Sequence, residues 1–282
     1  MKGFGGNWTK KKIEILVEYA KAYLTIMNKY PYWELLYFDG FAGSGIIYKD
    51  NKSDVLITIG AAKRIVEIDK PISFDRYYFV EKNSNSAKKL SKSTKESFPQ
   101  KKIYIKVGDC NAELKKLAKY LKTKGNKKYR VLAYIDPCGM ELEWSSVKEL
   151  KGTKIDMWIL VPTGLGVNRL LKRDGNISDA WLKKLVIFLG MSESKIKNHF
   201  YKDKTELTLF GEVTFKEKEA NAILKSAELY RKRLMEIFRY VSQPFVLQNN
   251  RGTTMYHLFM ASNKRTALKI ANDIIRKYNE MD

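Results

Sequence analysis

The heptapeptide Asp39-Gly40-Phe41-Ala42-Gly43-Ser44-Gly45 constrains this chain more than any other segment. It follows directly on Leu35-Leu36-Tyr37-Phe38, a short unbroken apolar run. Such a run suits a strand buried on both faces of a parallel sheet. The glycines let the backbone turn tightly and approach a ligand closely. Asp39 puts a carboxylate at the strand tip, and in an open α/β sheet ligands sit beyond the carboxyl ends of the strands, where strand order reverses. The Gly-Lys-Ser/Thr ending of a Walker phosphate loop is absent. A cofactor with a positively charged amino-acid end suits this acid better than a phosphate does.

The alternation of strand and helix continues downstream. Further strands are predicted at 76–80, 103–107, 131–135 and 157–161, with helices over 57–67, 86–97, 112–122 and 144–150. An amino-terminal helix is predicted over 9–29, with Thr9 as its N-cap and an apolar stripe through Ile13, Leu16, Ala20 and Leu24. This order implies a doubly wound parallel sheet. From 168 to about 219 the alternation is lost, and a long basic helix is predicted over 221–240. Runs at 244–248 and 255–260 flank Asn250-Arg251-Gly252 and read as an antiparallel hairpin, before a final helix over 266–278. The chain thus divides into a core at 1–167, a basic, mainly helical insertion at 168–243, and a closing hairpin and helix at 244–282. Five parallel strands closed by an antiparallel hairpin is the Rossmann-like layout of the class I methyltransferase sheet; a dinucleotide-binding domain would continue with parallel strands.

Each later strand tip also carries polar groups. The second ends in Val80-Glu81-Lys82-Asn83, where an acid is placed to meet ribose hydroxyls. Glu81 follows Gly45 by 36 residues, more than the roughly 20 of the dinucleotide fingerprint, and an extra loop around 50–59 accounts for the excess. The third ends in Gly108-Asp109-Cys110-Asn111, where Asp109 either accepts from an adenine amine or caps the next helix. The fourth ends in Asp136-Pro137-Cys138-Gly139. There Asp136 is placed to take a proton or hold an amine, and Pro137 stiffens the loop. Cys138 reads as a nucleophile or, alternatively, as a small buried thiol. After the fifth strand, Asn168 and Arg169 face either a substrate anion or nothing in particular.

Lys and Arg number 53 against 31 Asp and Glu, a formal net charge of +22. A surplus of that size calls for a polyanion, with nucleic acid first and an anionic membrane surface second. Arg231 and Arg233 on the basic helix are candidate phosphate contacts. No apolar run reaches the roughly 20 residues of a membrane span, and the start of the chain lacks a signal core. The two cysteines, Cys110 and Cys138, fit a reducing cytoplasm. Three strand spacings separate them, about 14 Å, beyond disulfide reach. No zinc-type spacing occurs, and the two histidines, His199 and His257, read as structural.

Taken together, these residues resemble the class I S-adenosylmethionine-dependent methyltransferases. Phe38 to Gly45 is similar to motif I of enzymes that methylate base amines, Val80-Glu81-Lys82-Asn83 to the acidic motif II, and Asp136-Pro137 to the start of the Asp-Pro-Pro-aromatic motif. More narrowly, Asp-Gly-Phe-Ala-Gly-Ser-Gly, Glu-Lys, Gly-Asp-Cys-Asn and Ile-Asp-Pro-Cys-Gly together resemble the three-Cys-motif partner protein family. That likeness covers roughly residues 8–170. It implies S-adenosylmethionine held by Asp39 through Gly45, Glu81, Lys82, Asp109 and Cys110, and an acceptor site at Asp136 through Gly139. It also implies a radical-SAM-like three-cysteine partner. The departure is Cys138-Gly139, where base-amine methyltransferases carry a second proline and an aromatic that stacks on the flipped base. A cofactor-binding module that supports a partner enzyme, and a metal-dependent nuclease using Asp39, Glu81 and Asp136, are the alternatives.

Overall fold

The computed structural model describes residues 7–48, 57–209 and 211–280. Most of the extra loop expected around 50–59 lies outside these residues. The chain opens with α1 (Asn7–Met27), followed by β1 (Glu34–Asp39), β2 (Ile46–Tyr48), β3 (Ile57–Ile59) and α2 (Ala61–Val66). Then come β4 (Arg76–Glu81), α3 (Ser84–Ser97), β5 (Ile103–Val107), α4 (Cys110–Lys122), β6 (Tyr129–Ile135), α5 (Trp144–Lys148) and β7 (Ile155–Val161). A π-helical turn, Thr163–Asn168, leads to α6 (Asp179–Leu189), α7 (Glu193–Phe200), β8 (Tyr201–Thr208), β9 (Gly211–Lys218) and α8 (Ala222–Met235). The remainder is β10 (Tyr240–Val241), β11 (Phe245–Gln248), β12 (Thr254–Ser262) and α9 (Arg265–Glu280).

In the main sheet the strand order is β10-β12-β7-β6-β1-β4-β5, with β11 also on β12. β5, β4, β1, β6 and β7 are mutually parallel. β12 runs antiparallel to β7 and pairs antiparallel with β10 and β11. This is a Rossmann-like class I methyltransferase sheet. The chain leaves β1 toward β4 and β5, then returns to β6 on the other side, so strand order reverses between β1 and β6. A crevice opens there, beyond the strands' carboxyl ends.

The central strands β1, β6 and β7 are largely apolar because both faces are covered, while the edge strand β5 is half exposed. Along β6, Val131, Ala133 and Ile135 enter the core under α4 to α8, while Leu132 and Tyr134 enter the core under α1, α2, α3 and α9. β7 alternates in the same way, with Met157 and Ile159 on one face and Trp158 and Leu160 on the other.

Several local expectations are corrected. Residues 57–59 form a strand paired with β2, and the helix starts only at Ala61. Thr9 lies inside the first turn of α1 rather than capping it. The region 168–243 holds three helices but also the antiparallel pair β8–β9, which apolar periodicity does not reveal because its faces are mostly exposed. Two of its eight registered cross-strand pairs are oppositely charged, among them Lys216 with Asp203 at 2.7 Å. The basic helix is shorter than 221–240, and its Ala227, Tyr230 and Leu234 face the core.

Candidate active site at the carboxyl edge of the sheet

The turn after β1 is pinned between its neighbours. Gly40 donates its N–H to the Tyr134 carbonyl at 3.0 Å, and Ala42 to the Val80 carbonyl at 3.0 Å. Gly43 and Gly45 have φ of +63° and +75°, the left-handed region that glycine enters without steric cost. Gly40 is needed for a different reason: a Cβ there would stand 2.4 Å from Cys110 Sγ and 3.0 Å from Ile135 Cδ1. Glycine lets the turn lie directly against the start of α4.

Asp39 ends β1 almost wholly buried and accepts the Phe41 N–H at 3.0 Å. Burial, with repulsion from Asp136 and Glu81, pushes its carboxyl up to about 8, while the Phe41 N–H and Lys12 pull it down. At neutral pH it is chiefly a buried, protonated acid facing the crevice. Asp136 stands just past β6. Both its oxygens accept from the Lys12 ammonium, at 2.7 and 2.6 Å, and Oδ2 also accepts from the Tyr134 hydroxyl at 3.0 Å. The Lys12 side chain is only 9% exposed and its ammonium sits 5.1 Å from the centre of the Trp8 ring. The carboxylate expected to be open to an amine is thus already held by one from α1.

These groups line a cavity of about 330 Å³, within the usual range for ligand sites. Its wall includes the turn from Phe41 to Gly45, Asp39, Asp136, Pro137 and Cys138, with Trp8, Thr9 and Lys12 from α1 and Tyr256 from β12. The Thr9 hydroxyl is buried and has no hydrogen-bond partner among the described residues.

The other expected residues separate. Glu81 is tied to the turn: Oε2 accepts the Gly43 N–H at 2.9 Å, and Oε1 the Asn83 N–H at 2.7 Å. Lys82 is exposed. Asp109 is exposed and caps α4 through the Ala112 N–H at 3.2 Å, the second of its two readings. Cys110 is buried, and burial drives its thiol strongly upward, which leaves it inert. Cys138 corrects the buried-thiol reading: it is exposed at the cavity rim, its carbonyl accepting the Tyr256 hydroxyl at 3.0 Å. Local desolvation and the nearby Asp136 and Glu141 raise its thiol. Gly139 donates to Glu141 Oε2 at 2.7 Å.

The substrate candidates beyond β7 lie outside the cavity wall. Asn168 receives the Lys218 ammonium at 3.0 Å, and Arg169 is exposed. Arg231 donates to the Ser242 and Val241 carbonyls. Arg233 pairs with Glu236 and lies 4.6 Å from the centre of the Trp144 ring. These arginines brace the fold. His257 is buried against the Thr163 hydroxyl, and burial lowers it to about 4. Among the described residues no cluster of three or more Asp, Glu, His or Cys is placed to hold a metal.

No family model matches the chain, and the search of curated proteins gives no significant match. Solved structures do resemble it. A Legionella pneumophila protein of family DUF519 is 16% identical, over 93% of this chain and 99% of that one, with a TM-score of 0.46. Trm1 from Pyrococcus horikoshii, in complex with S-adenosyl-L-methionine, is 9% identical over 96% and 72%, with a TM-score of 0.40. An rRNA methylase from Streptococcus thermophilus is 9% identical over 73% and 93%, with a TM-score of 0.31.

Sequence reasoning missed Lys12, Trp8 and Tyr256. For Lys12 a signal existed: it shares the helical stripe of Leu16, Tyr19 and Tyr23, a cation on a buried face. Such a cation needs an acid partner.

Proposed function

We propose that the carboxyl-edge crevice binds S-adenosylmethionine and that the protein is a methyltransferase-like protein acting on nucleic acid. The observation that carries this reading is the placement of Asp39: a buried acid at the β1 tip, at the point of strand reversal, facing a cavity of ligand size. Once ionised, Asp39 would accept from the methionine ammonium. Glu81 would take the ribose hydroxyls, since each of its oxygens keeps a lone pair beside the backbone N–H it already accepts. Asp109 would meet the adenine amine with the oxygen not used in capping. The cofactor supplies the electrophilic methyl group; the chain holds the donor and excludes water from it. The net charge of +22 supports a nucleic-acid partner.

Lys12 favours a second reading. An acceptor amine would have to displace the Lys12 ammonium from Asp136, and Cys138-Gly139 offer no stacking ring. On this reading the chain binds the cofactor without transferring its methyl group and serves a partner enzyme. The resemblance to the three-Cys-motif partner family supports it. Incubation with methyl-labelled S-adenosylmethionine and mixed DNA, RNA and protein decides between them. Label in a macromolecule, lost in Asp136→Ala, supports transfer; cofactor binding with no label supports the module.

A further inference from the structure

A second cavity, of about 420 Å³, opens at the opposite edge of the sheet, where the parallel strands begin. Trp33 precedes β1, Arg130 lies near the start of β6, Lys154 and Asp156 flank the start of β7, and Lys264 follows the end of antiparallel β12. Helix α1 spans both sites. Its first turns line the crevice and its Tyr19 and Tyr23, 7 and 11 residues beyond Lys12, line this cavity. At about 1.5 Å per residue the two sites stand on the order of 15 Å apart, so they do not merge.

The chemistry of this cavity is uneven. Three cations, Arg130, Lys154 and Lys264, share it with one carboxylate, Asp156. That carboxylate is already engaged by the Tyr19 and Ser262 hydroxyls. Among the described residues the Arg130 and Lys264 side chains make no ion pair or hydrogen bond. The cations crowd each other: desolvation, and then Arg130 and Lys264, lower the Lys154 ammonium. Arg130 and Lys154 both lie on the Trp33 ring, at 4.6 and 4.4 Å from its centre. Thr266, in the first turn of the 16-residue α9, adds a helix amino terminus to the wall.

The independent mark of a ligand is Tyr23. It is 7% exposed, lines the cavity, and its hydroxyl is buried with no partner among the described residues. A buried unpaired hydroxyl is costly and is ordinarily satisfied. Burial, followed by the Asp156 charge, raises it well above the usual tyrosine range, so it stays protonated and able to donate. Two exposed rings, Tyr30 and Tyr32, stand at the mouth, 44% and 69% accessible.

We propose that this cavity binds a phosphorylated nucleoside, either a free mononucleotide or the phosphorylated end of a strand. The phosphate takes Arg130, Lys154, Lys264 and the amino terminus of α9. The base stacks on one of the Tyr30 and Tyr32 rings, which stand at 81° to each other, with its edge toward the other, and the ribose hydroxyls meet Asp156 and Tyr23.

Calorimetric titration of the full chain with adenosine 5′-monophosphate tests this. Saturable binding is expected, at least about tenfold tighter than inorganic phosphate or adenosine alone. Lys264→Glu, at an exposed position, weakens it about tenfold or more. Tyr23→Phe weakens it roughly three- to tenfold without lowering the melting temperature, because among the described residues the lost hydroxyl has no partner. Asp39→Ala, at the other edge, leaves it intact. A 5′-phosphorylated pentauridine and its unphosphorylated twin separate the sources. Tighter binding of the phosphorylated strand than of the mononucleotide assigns a strand end; equal or weaker binding assigns the free nucleotide. The proposal is overturned by no saturable binding up to about 5 mM, by Lys264→Glu and Tyr23→Phe both binding as wild type, or by loss of binding in Asp39→Ala.

Discussion

Replacing Asp39 by asparagine isolates the cost of the buried carboxyl. In the unfolded chain this group titrates near 3.8, and in the folded chain burial raises it to about 8. Between those values the folded state holds a proton that the unfolded state has lost. Stability therefore falls as pH rises, by about 1.4 kcal/mol per unit. The loss begins near the unfolded value and is complete above the folded one. From about pH 5 to about pH 7 it amounts to about 2–3 kcal/mol. Asparagine has the same shape and no such titration, so the variant gains about that much relative to wild type over the same interval. Urea unfolding followed by tryptophan fluorescence at both pH values measures it, and the other titrating groups cancel in the difference between the two proteins. A difference that stays constant from about pH 5 to about pH 7 refutes the reasoning. The same proton must leave when an ammonium binds, so cofactor binding near neutral pH releases a proton. Calorimetry in buffers of different ionisation enthalpy detects that release.

Two further outcomes follow from the packing of the turn and from the exposure of the thiols. Gly40→Ala drives a Cβ onto Cys110 Sγ and costs about 1–3 kcal/mol by overpacking; chemical unfolding of the single and double variants should show Cys110→Ala recovering much of that loss. Iodoacetamide should label Cys138 and spare Cys110 in the native protein, and S-adenosylmethionine should slow the reaction at Cys138 because that residue lines the crevice; mass mapping of the alkylated peptides reads both.

Much of the sheet was legible because its central strands are covered on both faces and so read as apolar runs, and β1, β4 and β6 end at polar tips. Asp39 and Asp136 were legible as tips, since β1 and β6 are neighbours across the strand reversal. Less visible was what those tips touch. The partner of Asp136 comes from 124 residues away, and only the three-dimensional path of α1 brings it there. Arg231 and Arg233 look like phosphate contacts in a chain of this charge, yet carbonyls and Glu236 take them up. Periodicity cannot show where a long side chain turns. The β8–β9 pair escaped for another reason: it is held by its backbone ladder and charged cross-strand pairs, and buries little that would leave an apolar alternation.

The central claim is that the carboxyl-edge crevice is an S-adenosylmethionine site organised by Asp39. Calorimetric titration of the full chain with S-adenosylmethionine, wild type beside Asp39→Ala, tests it most directly. The account predicts saturable binding to one site in the wild type, weakened at least about tenfold in the variant, as expected for loss of a charge-assisted hydrogen bond. No saturable heat in the wild type, or equal affinity in both proteins, contradicts it.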